Sequence, residues 1–126
     1  MTPRFDWSHY MTLAKQLASC SPQDPIAEAK QRSAISRAYY SVFIPARAHS
    51  YREHPLLQSD KRHKSVINHF KKNSVDEIRR RIGKQLNRLR LWRNRADYED
   101  KVPNLAWRAD SAVNLADETA KLIGRL

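Results

Sequence analysis

The chain has 126 residues, enough to bury one real core and too few for two comfortable ones, so residues 1–126 read as a single domain. It carries 24 Lys and Arg against 13 Asp and Glu, a formal charge of +11. Such an excess draws polyanionic partners, RNA or DNA above all, with an acidic protein as the plainer alternative. No apolar run approaches the length of a membrane span, and the N-terminus lacks an apolar signal core. Cys20 is the only cysteine, which excludes a disulfide framework and suits a reducing, cytoplasmic setting.

The only glycines are Gly83 and Gly124, and there is no Asn-Gly or Asp-Gly turn and no alternating apolar pattern. These features point to an all-α protein, an antiparallel bundle of about five helices. Asp6 is placed to cap a first helix with apolar positions Trp7, Tyr10, Met11, Ala14, Leu17 and Ala18, ending at Ser21-Pro22-Gln23-Asp24-Pro25. A long second helix runs from about Ile26 to about Glu53, with Ile35, Ala38, Tyr39, Val42, Ala46 and His49 on one face. Pro45 inside it predicts a kink or an interruption, because proline lacks an N–H and clashes with the preceding turn. Lys61 to Lys72 predicts a short third helix that groups His63, Val66, Ile67 and Phe70. Ser74 and Glu77 then have the spacing of a capping box at the head of a basic fourth helix, Val75 to Tyr98. A final helix carries Leu105, Ala109, Ala112, Val113, Ala116, Ala120 and Ile123. Trp92 flanks the apolar stripe of the fourth helix and Trp107 lies on the last one, both expected to pack.

Familiar catalytic schemes find little support. The histidine pairs His49/His54 and His63/His69 lack the one-turn spacing of a helical zinc site, so no metal or other cofactor is expected. Gly-x-Ser-x-Gly elbows and glycine-rich phosphate loops are absent.

The fourth helix is different. Val75, Ile78, Ile82, Leu86, Leu89 and Ala96 form one apolar stripe, and Arg93 falls at its centre. A guanidinium remains charged and needs an acceptor, which leaves a carboxylate, a helix end or a phosphate. The segment Lys71–Arg95 carries ten basic residues, Arg88, Arg90, Arg93 and Arg95 among them, against Asp76 and Glu77. One turn on, Arg93 can meet Asp97 and Asn94 can meet Tyr98. On the second helix Tyr39 shares the core face, while Arg37 and Tyr40 point elsewhere, toward a cleft or a structural contact.

Three segments together resemble the HEPN family (higher eukaryotes and prokaryotes nucleotide-binding domain). They are Arg37-Ala38-Tyr39-Tyr40, His63-Lys64-Ser65-Val66-Ile67 and Arg93-Asn94-Arg95-Ala96-Asp97-Tyr98. The resemblance spans about Trp7 to Ile123. It implies a helical bundle that dimerises, often beside a nucleotidyltransferase partner. It also implies a metal-independent endoribonuclease acting as a toxin of a toxin–antitoxin pair or in phage defence. The alternative is a non-catalytic HEPN scaffold that binds a nucleotide or docks the nucleotidyltransferase.

In catalytic members an arginine precedes a histidine by five to seven positions. Arg93 and Asn94 match the first half of that signature, and Tyr98 occupies the histidine position. The expected catalytic set is therefore Arg93, Asn94, Asp97 and Tyr98, with Arg37, Arg88, Arg90 and Arg95 holding RNA. A tyrosine hydroxyl, which ordinarily titrates near about pH 10, is a poor base at neutral pH. Residues five apart on a helix diverge by about 140°. Arg93 and Tyr98 can then converge only if the helix ends near Ala96 or if two copies pair about a twofold axis.

Overall fold

Among the described residues, four aspartates start four of the five α-helices. In the computed structural model, which describes residues 4–73 and 75–126, these are α1 (Ser8–Ala18), α2 (Ala27–Glu53), α3 (His63–Lys71) and α4 (Glu77–Tyr98). Asp6 accepts from Ser8 N at 3.0 Å, Asp24 from Ile26 N at 2.9 Å, Asp60 from Arg62 N at 3.0 Å and Asp76 from Ile78 N at 2.9 Å. Each carboxylate satisfies a backbone donor at a helix N-terminus and sits at the positive end of its dipole. All four titrate below the ordinary carboxylate range, chiefly through bonds from Ser8, Lys30, Arg62 and Arg79 respectively. The fifth helix, α5 (Leu105–Ile123), follows Asn104, the one non-glycine residue with left-handed backbone among those described. A 3₁₀ turn, Pro55–Ser59, joins α2 to α3, and no strand occurs among the described residues.

Asp76 displaces the predicted capping box. It is the residue before α4 whose side chain takes the first free amides, while Glu77 turns outward to Arg80 at 2.5 Å; Ser74 lies outside the described residues. Val75 consequently precedes the helix and is exposed rather than part of the stripe.

Pairings between distant residues give the helix directions. Arg32 near the start of α2 reaches the end of α4, and Glu53 at the end of α2 meets Arg79 at the start of α4, so these two run antiparallel. Thr119 bonds Gln85 at 2.7 Å, while Trp92 and Trp107 line one surface hollow, so α4 and α5 are antiparallel too. α2 is the central rod, packed by α1, α4 and α5, and α3 lies chiefly on α4. The core is continuous, built from Ala34, Ile35, Ala38, Tyr39, Val42 and Phe43 of α2, Val66, Ile67 and Phe70 of α3, and Ile82, Leu86 and Leu89 of α4, with the small face of α5. The expected break at Pro45 does not occur. α2 is continuous through it, because Val42, Phe43, Ala46 and Ser50 are buried on both sides and hold the two halves in line. Trp92 is partly buried as expected, whereas Trp107 is largely exposed.

Gly83 sets the close approach of α3 to α4. A Cβ there would lie 2.3 Å from Lys71 N and 2.5 Å from Lys71 Cα, so the two backbones meet where only glycine fits. That contact lays α3 along α4 and brings its first residue, His63, toward Arg93.

Candidate functional site

Arg93 lies on the buried side of α4, as its place in the apolar stripe predicts; its side chain is only 12% exposed. The guanidinium carbon sits 5.5 Å from the ring centre of Tyr39 and 5.6 Å from that of Tyr40. Attraction of this kind contributes about 0.5–2 kcal/mol per ring, more as water is excluded. Its ion pair is poor by comparison. Nη1 is 3.4 Å from Asp97 Oδ2, whereas a charge-assisted N–H···O bond is typically about 2.7–2.9 Å. Arg93 Nε is buried and has no hydrogen-bond partner among the described residues. Leaving such a donor unmet costs about 1–3 kcal/mol, so the side chain is built for an acceptor that its own helix does not supply.

His63 stands on the same tyrosines from the other direction of approach, the first turn of α3. Its Nδ1 is 2.8 Å from Tyr39 Oη, and its ring stacks on Phe43 with centroids 4.2 Å apart. Its edge-on distance to Tyr40 is 6.0 Å. Burial lowers its pKa, and the charges of Arg93, Arg90 and Arg47 lower it further. Burial likewise raises the Tyr39 pKa, against the pull of Arg93, so Tyr39 keeps its proton. Arg47 lies 5.9 Å from the Phe43 ring and 5.9 Å from the Tyr51 ring. Three guanidiniums thus act on one imidazole, with the Asp97 carboxylate in loose contact with one of them. The local field selects an anion.

This environment has a consequence for stability. The folded-state pKa of His63 lies below its unfolded value, so the unfolded chain binds that proton more readily. The contribution is complete above about pH 6.5 and declines as pH falls below it toward the folded-state pKa of His63. His49, lowered first by burial and then by Arg52, adds to the same slope. The urea midpoint is expected to be lower at pH 5.5 than at pH 7.5, and the difference to shrink in His63→Gln. An undiminished difference in that variant would assign the slope to other groups.

The structure divides the residues singled out in the sequence. Arg93, Asp97 and Arg90 share the tyrosine-lined side of α4. Asn94, Arg95 and Tyr98 lie around a separate shallow hollow with Leu91, Trp92 and Glu99. Arg95 pairs there with Glu99 at 3.0 Å. Arg88 borders another hollow between α4 and α5, and Arg37 lies 4.9 Å over the ring of Tyr10 on α1. The reason is the helical pitch of about 100° per residue, which spreads Arg88, Arg90, Arg93 and Arg95 around the rod. α4 also continues to Tyr98 instead of ending near Ala96, and Tyr98 is 77% exposed. Arg32 fixes that end by donating to the carbonyls of Ala96, Glu99 and Asp100 at 2.9, 2.6 and 2.8 Å. A single chain therefore does not bring Arg93 and Tyr98 together.

Sequence reasoning missed His63 and Arg47 at this site. The signal for His63 was its place one turn before Val66 and Ile67 on the buried face of α3; for Arg47, its place four residues from both Phe43 and Tyr51. Among the described residues, no group of three or more His, Cys, Asp or Glu side chains is placed to hold a metal ion, and no helix is long and apolar enough to cross a membrane.

Comparisons with protein-family models, with curated proteins and with solved structures give no match to this chain.

Proposed function

We propose that this chain is a HEPN-type RNA-binding protein that grips a backbone phosphate at Arg93 and cleaves RNA without a metal ion, as a cytoplasmic toxin or phage-defence effector. The observation that carries this reading is the Arg93 guanidinium, held over two tyrosine rings with a buried, unmet Nε donor. Arg90 and Arg47 add charge beside it, and Tyr40 offers a partly buried ring on which a base can stack. Arginine suits the task because its planar donors match phosphate oxygens and stabilise the charge that grows on them during attack. The reading includes a homodimer seated on the exposed Leu91 and Tyr98 side of α4, away from Arg93 and the two tyrosines.

The test is incubation of the purified chain with RNA in EDTA beside Arg93→Ala. Cleavage by the parent chain and a loss of about 100-fold or more in the variant is expected, the size seen when one transition-state donor is removed. Equal cleavage by both, or none by either, removes the nuclease claim. Binding that survives loss of Arg93 and falls steeply with salt would leave a sequence-neutral binder using only its basic surface.

One observation favours a second reading, a non-catalytic scaffold that docks a nucleotidyltransferase. Tyr98 stands exposed at the end of α4, away from Arg93, where a partner protein reaches its hydroxyl freely. Co-purification with a nucleotidyltransferase encoded next to this chain, without RNA cleavage, would support it.

A further inference from the structure

We propose that His63, packed from α3 on the same two tyrosines as Arg93, takes the proton of the attacking hydroxyl, so that one protomer holds a complete arginine–histidine pair on two different helices. This rests on the RNA-cleaving reading above and assigns the proton-transfer role that the motif on α4 leaves open.

Shared neighbours carry the argument. Arg93 and His63 pack on the same two rings: Tyr39 at 5.5 and 5.7 Å, and Tyr40 at 5.6 and 6.0 Å. The imidazole is held in one orientation by its stack on Phe43 and by the bond between Nδ1 and Tyr39 Oη. Its other nitrogen, Nε2, has no hydrogen-bond partner among the described residues. A hydroxyl is the right group behind such a histidine. It accepts from Nδ1–H when that nitrogen is protonated and donates to Nδ1 when it is bare, so the ring stays anchored in either protonation state. Burial keeps Tyr39 itself from ionising.

The charged groups facing His63 are Arg47 from α2 and Arg90 and Arg93 from α4, and all three favour the neutral, base-competent imidazole. A phosphate drawn in by those arginines relieves that bias at the moment a proton must be accepted.

The step balances without a co-reactant other than water. With Nδ1–H donating to Tyr39, His63 Nε2 accepts the proton of the ribose 2′-hydroxyl as the 2′-oxygen bonds to phosphorus. Arg93 neutralises charge on the non-bridging oxygens, and the P–O5′ bond breaks. The 5′-oxygen takes a proton from water, and His63 returns its own to solvent. The products are a 2′,3′-cyclic phosphate and a 5′-hydroxyl.

The experiment compares the parent chain with His63→Gln, His63→Asn and Tyr98→Phe, measuring cleavage of a short RNA in EDTA from pH 5 to 8, RNA affinity by fluorescence anisotropy, and folding by circular dichroism. Asparagine is included because its amide can replace Nδ1 as the partner of Tyr39 if glutamine disturbs the fold. Both His63 variants are expected to lose cleavage by about 100-fold or more, to keep RNA affinity within threefold, and to lose the acid limb of the rate profile. Cleavage retained in a folded His63 variant overturns the proposal. So does loss of cleavage in Tyr98→Phe alone, which returns the proton to that tyrosine.

A parent chain that leaves RNA intact removes the cleavage reading instead. The pairing is then judged by the NMR titration of His63 with cytidine 3′-monophosphate. A midpoint that rises on adding the nucleotide, and does not in Arg93→Ala, sustains the His63–Arg93 phosphate site. A midpoint that stays fixed overturns it.

Discussion

Gly83→Ala is expected to destabilise the chain by about 3 kcal/mol, the upper end of the usual cost of overpacking. In an ordinary helix interior the change would stabilise by about 1 kcal/mol, because alanine is the better helix former. Here the new methyl would meet Lys71 N at 2.3 Å, Lys71 Cα at 2.5 Å and Lys71 Cβ at 2.8 Å. Two of these atoms are backbone, so no rotamer change relieves the clash and α3 must move bodily off α4. That helix buries Val66, Ile67 and Phe70, and their contacts with the core go with it. Against a total stability of about 5–15 kcal/mol, such a loss shows as a large fall in the urea midpoint. A second effect follows in the site. α3 also carries His63, so the variant should weaken the bond to Tyr39 and bring the titration of His63 closer to that of a free imidazole. An alanine variant as stable as the parent chain would show that the two backbones are not in contact at this point.

Gly83 also marks where the sequence stops being legible. Five helices follow from local rules: Asp6 ahead of α1, apolar positions at three- and four-residue steps, and a Pro-rich break after α1; the start of α4 is read two residues early, because Asp76 rather than Ser74 takes its first free amides. The burial of Ile82, Leu86, Leu89 and Ala96, with Arg93 beside them, follows from the same periodicity. Which side chains meet Arg93 does not. That depends on α3 crossing α4 at a glycine, and a glycine in a basic helix reads from sequence as a weak spot rather than as a contact. Arg32 shows the same limit, since it closes α4 through three carbonyls more than sixty residues away in the chain. Pro45 shows the converse. A local rule predicts a break, and packing on both sides overrides it. The proximity of Asn94 and Tyr98 to Arg93 in the chain drew the candidate site along α4, yet helical pitch separates them from it and tertiary packing puts His63 there.

Arg93→Leu separates a functional arginine from a structural one. Leucine continues the stripe of Ile82, Leu86 and Leu89 and removes the buried Nε that has no partner. Removing that unmet donor recovers about 1–3 kcal/mol, and burying the leucine contributes about 1.5–3 kcal/mol. Against this stand the loss of two cation–π contacts, about 0.5–2 kcal/mol each, and the long contact to Asp97, worth at most about 0.5 kcal/mol. Ordering leucine also costs less side-chain entropy than ordering arginine, by about 1 kcal/mol. Asp97 is at the surface and is left solvated, so it carries little penalty. The central values of these terms leave a gain of about 2 kcal/mol, read as a rise in Tm of roughly 8 °C for a chain of this size. RNA affinity should move the other way, by about tenfold or more, because a charged hydrogen bond to phosphate contributes about 1.5–3 kcal/mol. A side chain whose removal stabilises the fold while weakening binding is held there by what it binds. A variant that melts several degrees lower and binds RNA as before would instead make Arg93 a strut between α2 and α4, leaving the attraction for RNA to the rest of the basic surface.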